Sequence, residues 1–343
     1  MLKKLSPSEK AAILLEQYAN AIKDAFLNAI SDIRTRVILR LFVARVEAND
    51  FTGAIEALNI EPAAFNPMLD EIAKAYTGGG NATVADLPPL VSPEGFRINL
   101  LFNARNALAE AWLRDYSAAL VREIIDDQRN AIRTALVNGT SQGLSGRAIG
   151  LDIVGRISPI TGERTGGIIG LASSQTGWVG AYRTELQSLD AGALSRNLRD
   201  RRYDRTIRKA IAEEKPIPAA TVDNMVTAYQ NRALRYRGEA IGRTESLAAF
   251  NAGKHESMRQ MIADGKISAN LVDQKWNTIM DGRERDTHAA MNGQIQPWGQ
   301  SFVTGAGVRM DYPGDPQAPA SEIINCRCAK TFIIRKEPRA ALQ

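Results

Sequence analysis

Apolar residues recur at steps of three and four early in the chain. Leu15, Tyr18, Ile22, Phe26, Ile30, Ile33, Val37 and Leu41 form one stripe, the period of an amphipathic helix rather than of a strand. Ser6-Pro7-Ser8-Glu9 marks its start, with Ser6 as N-cap, Pro7 at the first helical position and Glu9 completing a capping box. The stripe predicts a long helix ending near Asn49-Asp50, followed by a shorter helical stretch over 53–59. Gly78-Gly79-Gly80-Asn81 and Pro88-Pro89 predict a loop or linker over 78–95. A second long helix is expected over 96–137, stopped at Asn138-Gly139 and pairing with the first as an antiparallel hairpin. Scattered glycines over 139–180 predict short helices joined by tight turns. Pro216-Ile217-Pro218 then interrupts the chain before a helix over 221–253. His255, just past Gly253, reads as a surface residue.

Beyond residue 265 the long helical period stops. A strand is expected over 274–279, a short helix over 281–291, an irregular loop to about residue 320 and a further strand over 328–334. The fold class that follows is mainly α, a long-helix N-terminal body followed by a small α+β C-terminal domain. The expected divisions are 1–77, the loop 78–95, a helical body 96–265 with a Gly-rich centre, the α+β domain 266–335 and a tail 336–343.

Composition sharpens this without changing it. The chain has 343 residues, 44% hydrophobic and 24% charged, with only 6% aromatic, values that fit globular helical domains and exclude wholesale disorder. Forty-three basic against 38 acidic residues give +5, which permits nucleic acid nearby without requiring it. No run of apolar residues reaches the length of a bilayer span, and Ser6-Pro7-Ser8-Glu9-Lys10 interrupts any signal-peptide core, so neither a membrane anchor nor secretion is expected. Both cysteines lie in Cys326-Arg327-Cys328. In an extended segment their Cα atoms would stand about 6.6 Å apart on one face, near the limit for a disulfide, which favours free thiols or metal ligands.

Ordered motifs then appear. Ile241-Gly242-Arg243-Thr244-Glu245 precedes Asn251-Ala252-Gly253. Next come Trp276, Thr278, Asp281, Arg283, Arg285, Asp286, His288, Met291 and Gly293-Gln294, followed by Tyr312-Pro313-Gly314-Asp315-Pro316 and Ile324-Asn325-Cys326-Arg327-Cys328. Over 240–328 these residues resemble the phage Mu protein F-like minor head proteins of tailed bacteriophages. The resemblance implies a virion protein of the head, near the portal vertex or the capsid interior, assembled in the host cytoplasm. It would act in head morphogenesis, with DNA packaging or ejection as a further role. It implies as partners the portal protein, other head proteins such as major capsid or scaffold protein, and packaged DNA.

Read on their own, the same residues admit several chemistries. His288, Cys326 and Cys328, with Asp281, Asp286 or Asp315 as fourth ligand, could bind a structural Zn²⁺. Alternatively His288 bonds a carboxylate or carbonyl and the thiols are simply buried. Arg283, Arg285 and Arg327 could fork onto Asp281, Asp286 or Asp315 and brace the loop, with Trp276, Gly293, Asp315 and Asn325 completing a structural motif. Arg243 and Glu245 could dock the C-terminal unit onto the helical body or form a solvent-facing pair. In the basic stretch 195–209, Arg199, Arg201, Arg202, Arg205 and Arg208 could meet DNA phosphates or a partner, or form a solvated face with local ion pairs. No phosphate loop, H-E-x-x-H or G-x-S-x-G motif occurs, so no catalytic residue is expected. A metal-dependent hydrolase on the His/Asp/Cys cluster and an internal DNA-contacting virion protein are the alternatives.

Overall fold

The computed structural model describes residues 6–91 and 94–336; the expected tail lies almost wholly outside them. In chain order the helices are α1 Pro7–Arg36, α2 Leu39–Glu47, α3 Phe51–Glu56, α4 Asn66–Asp86, α5 Ala107–Ser141, α6 Gly146–Val154, α7 Ser173–Ser188, α8 Asp204–Glu213, α9 Ala219–Ala263, α10 Asp286–Ala289 and α11 Ala320–Ile323. The strands are β1 Arg156–Ile157, β2 Arg164–Thr165, β3 Val272–Asn277, β4 Ile295–Pro297, β5 Phe302–Val303, β6 Arg309–Met310 and β7 Ala329–Ile334. The mainly α class holds, with the small sheets concentrated near the C-terminus. No described helix is long and apolar enough to cross a membrane.

The expected capping box closes. Glu9 N–H donates to Ser6 Oγ at 3.3 Å, and Ser6 N–H donates back to Glu9 Oε2 at 2.7 Å. The first helix is shorter than its stripe, because Ile38 takes an extended conformation (φ −83°, ψ 90°) and separates α1 from α2. α5 likewise begins at Ala107, after an irregular stretch, where Asn106 accepts the Leu108 N–H at 3.0 Å. α9 runs on past Gly253 to Ala263.

Contacts divide the chain into two compact units. They do not follow the sequential boundaries expected at 77/78, 95/96 and 265/266, because α1, α5 and α9 each lend residues to both. One unit comprises Asp24–Pro67 and Ala118–Gly238. Here α6 packs on α2, with Gly150 admitting Leu39 and Val43, each about 3 Å from where a Cβ would stand. Between α6 and α7 the expected tight turns form, Gly155, Gly166, Gly167 and Gly170 all taking positive φ. Arg156 and Arg183 each pair with both Asp152 and Asp223. Buried Gln128 accepts the Gly170 N–H, and buried Gln175 donates to Ala233 O at 2.8 Å.

The other unit comprises Met1–Lys23, Met68–Ser117 and Glu239–Gln343. The expected glycine loop is helix: Gly78-Gly79-Gly80 sits inside α4. A Cβ on Gly79 would stand 1.9 Å from Phe250 O, and one on Gly253 would stand 1.9 Å from Tyr76 O. The glycines therefore serve close backbone contact between α4 and α9, not a turn. α9 is also the partner of the first helix, since a Cβ on Gly242 would lie 2.2 Å from Ala19 O. Tyr76, Trp112 and Tyr116 stack in series with ring centroids 5.0 and 4.5 Å apart.

A three-stranded antiparallel sheet, order β4-β3-β7, lies in this unit, with Trp276 opposite Lys330 and Gln274 opposite Phe332. The two expected strands are β3 and β7. The expected irregular loop contains β4 and the β5–β6 ribbon as well. Leu247, Trp276, Met291, Phe302, Met310, Ala318, Cys326 and Cys328 form one buried cluster; Met258, Met261, Ile267 and Val272 form a second.

Candidate metal centre

α9 supplies the base on which the C-terminal strands are fastened. Asn251 Nδ2 donates to Pro313 O at 3.1 Å. Gly314, at φ 82°, brings its turn so near α9 that a Cβ would meet Ala248 Cα at 2.8 Å. Asp315, buried as the turn's internal brace, accepts the Asp311 and Gln317 N–H groups at 2.8 and 3.0 Å. Arg243 Nε donates to Asn325 Oδ1 at 3.1 Å, and Thr244 Oγ1 accepts the Asn325 N–H at 3.0 Å. Asn325 takes φ 57°, a left-handed conformation that asparagine tolerates better than most residues. Arg243 thus docks the Cys-x-Cys segment onto α9, within one compact unit. Glu245 turns elsewhere and accepts the Tyr116 hydroxyl.

The loop before α10 is braced by arginine. Arg327 grips Asp281 with two bonds of 2.7 Å, and Arg283 adds a contact of 2.6 Å to the same carboxylate. These two guanidiniums, Arg327 first, hold the Asp281 carboxyl well below the usual carboxylate range. Glu284 Oε2 accepts the Asp281 N–H at 3.1 Å, the reciprocal half of the expected capping box. The helix nevertheless starts only at Asp286, because Gly282 at φ 80° turns the chain away. Arg285 donates to Ile324 O, and Asp286 is exposed at the start of α10. Gly293, at φ 82°, allows the turn by which Trp276 bonds both Gly293 N–H and Gln294 O at 2.9 Å.

Behind this clasp the structure joins His288, Cys326 and Cys328, with candidate ligand atoms all within 4.8 Å of one another. His288 Nδ1 lies 3.5 Å from Cys326 Sγ and 3.4 Å from Cys328 Sγ. Both thiols are free and buried. The Cys326 contact first, and then His288 and Thr278, hold the Cys328 thiol below its ordinary value; the same contact and burial push Cys326 up. The His288 ring stands edge-on to Trp276, centroids 5.5 Å apart. Asp281 does not join this cluster: Arg327 and Arg283 occupy its oxygens, so the structure does not bring the expected fourth candidate to the other three. The acidic neighbour is Glu322, buried and without a signal in the sequence, whose Oε2 lies 2.9 Å from His288 Nε2 without the alignment of a full hydrogen bond. It also accepts the Thr287 hydroxyl at 3.0 Å.

A second buried group was equally silent in the sequence. Lys330, fully buried, places Nζ 2.8 Å from His255 Nδ1, 3.1 Å from Asp311 O and 3.3 Å from Gln274 Oε1. The rings of Phe332, Tyr312 and Trp298 surround it at 5.1, 5.5 and 5.9 Å. His255 is thus a core-facing partner of Lys330, and not the expected surface residue. Burial first, then the Lys330 and Arg259 charges, press the His255 pKa well below 6.5. A base depressed on folding binds fewer protons in the native state. Its stabilisation is complete above the unfolded value of 6.5 and is lost as pH falls from there through the folded value. The melting midpoint is therefore expected to drop as pH falls below 6.5, and His255→Asn, which keeps an acceptor near Nδ1, is expected to flatten that drop. An equal drop in wild type and variant would remove His255 from the account.

Of the basic stretch, Arg199 is bound to Asp204 at 2.9 and 3.0 Å and Arg202 to Asp200 at 2.6 Å, with Arg208 4.0 Å from Asp204. Arg201 and Arg205 are exposed. The stretch is largely locally paired, and the helix it enters, α8, buries Ile207 and Ala210.

Residues 187–331 match the model of the family described as Phage Mu protein F like protein. The matched span runs from α7 into β7 and contains the arginine clasp, His288, Glu322 and both cysteines. No curated protein and no solved structure matches the chain.

Proposed function

We propose, from the membership of residues 187–331 in the family of Phage Mu protein F-like proteins, that this chain is a minor head protein of a tailed bacteriophage. It acts in head morphogenesis near the portal vertex, with the portal protein and other head proteins as its partners. The observation that carries the reading is that the matched span contains a module braced by its own side chains. Asp281 is gripped by two arginines, Asp315 is spent on backbone N–H groups, and Arg243 and Asn251 of α9 are spent on fastening the C-terminal segments. Side chains committed to one another hold a shape that a partner can read, and such commitments favour a structural role over catalysis.

Mass spectrometry of purified virions and of portal-containing assembly intermediates tests this. The chain is expected in both, and to co-purify with portal protein from infected cells. Its absence from virions and intermediates alike would overturn the reading.

A further inference from the structure

We propose that Cys326 Sγ, Cys328 Sγ and His288 Nδ1 bind a zinc ion, with Glu322 orienting the imidazole from behind and a solvent molecule as fourth ligand. Zinc bonds of about 2.3 Å to sulfur and about 2.0 Å to nitrogen, at the tetrahedral angle, hold sulfur and nitrogen about 3.5 Å apart. The two observed separations are 3.5 and 3.4 Å, so the cluster needs little rearrangement to accept the ion. Glu322 stands, with Oε2 2.9 Å from His288 Nε2, where the carboxylate that orients a metal-bound histidine usually stands. With Oε2 beside Nε2, it favours the tautomer whose proton sits on Nε2, which leaves the Nδ1 lone pair facing the sulfurs.

Charge and space agree. Two thiolates neutralise one Zn²⁺, and that balance matters where His288, Cys326 and Cys328 are each at most 3% exposed. Thiol protons are released to solvent as the ion enters. A cavity of about 20 Å³ adjoins the three ligands, lined also by Thr278, Arg285 and Asn325. It accommodates one water, enough to complete a coordination sphere and too small for a substrate. The ion would tie α10 to the Cys-x-Cys turn and so close the loop that the arginine clasp braces from outside. The assignment is independent of the virion reading.

Cobalt titration of the full chain, stripped of metal and kept reduced, provides the test. Tetrahedral thiolate ligation is expected to give a sulfur-to-cobalt charge-transfer band that saturates near one ion per chain and is displaced by zinc. Cys328→Ser is expected to abolish the band, Asp281→Asn to leave it unchanged, and Glu322→Gln to keep it while weakening affinity about 10–100-fold. Should a serine variant fail to fold, the wild-type titration decides alone: absence of the band with cobalt in large excess overturns the site. A band lost in Asp281→Asn overturns the ligand set, and unchanged affinity in Glu322→Gln overturns the role of Glu322.

Discussion

Gly253→Ala is expected to be, with Gly79→Ala, one of the two most destabilising single added methyl groups in the helices. The new Cβ would stand 1.9 Å from Tyr76 O and 3.1 Å from Gly80 N. Both are backbone atoms of α4, so no side chain can rotate out of the way. Overpacking of a well-filled interior costs about 1–3 kcal/mol and occasionally more; here α4 itself must retreat, which places the cost at or beyond the upper end. Thermal melting should show a midpoint lowered on the order of 5–10 °C. Gly177→Ala is the control. Gly177 lies in α7 with nothing within 4 Å of an added Cβ, and the same substitution there should stabilise by about 0.5–1 kcal/mol through helix propensity alone. Equal responses at the two sites would disprove the close α4–α9 contact.

Lys330→Ala is expected to cost about 3–5 kcal/mol, read as a shift in the denaturant midpoint. The substitution removes a fully buried stem packed among Phe332, Tyr312 and Trp298, and it leaves His255 Nδ1, Gln274 Oε1 and Asp311 O without their donor. Lys330→Met separates the two contributions. It keeps the stem and removes the nitrogen, and since burial depresses the Lys330 pKa well below 10.5, it also removes a group that is costly to bury charged. The methionine variant should therefore lose less than half as much stability. It should also show a weaker loss below pH 6.5, because the Lys330 charge is one of the causes that depress His255. If methionine and alanine prove equally damaging, the hydrogen bonds outweigh the packing.

Several elements are legible in the sequence alone. The capping box at Ser6 and Glu9 is local chemistry, and the apolar stripe behind it has a period only a helix satisfies. The strands around Trp276 and Phe332 were legible for the same reason, and so was the bracing of Asp281 by arginine, because Asp281 and Arg283 are near neighbours. What the period did not reveal is where one stripe becomes two helices. Ile38 breaks α1 from α2 without any Gly or Pro to announce it.

The candidate site divides along the same line. Cys326 and Cys328 declare themselves by spacing, and His288 by being one of only two histidines. Glu322 does not, because nothing in an isolated glutamate tells that a turn will set it against His288 Nε2. Asp281 looked an equally good ligand until Arg327, distant in sequence, took both its oxygens. Lys330 stands in a strand whose alternation suggests nothing unusual, and its burial follows from the pairing of β3 with β7 over α9.

By itself the sequence determined the helical character, the main strands and the residue types available for a soft metal, since each depends on neighbours within a turn or two. Tertiary structure alone decided that Gly78-Gly79-Gly80 would lie within a helix, with Gly79 against α9, and not in a loop, that His255 would face a lysine, and that Glu322 and not Asp281 would stand beside His288. Those outcomes depend on which distant backbone arrives within a few ångströms, and local propensity carries no record of that.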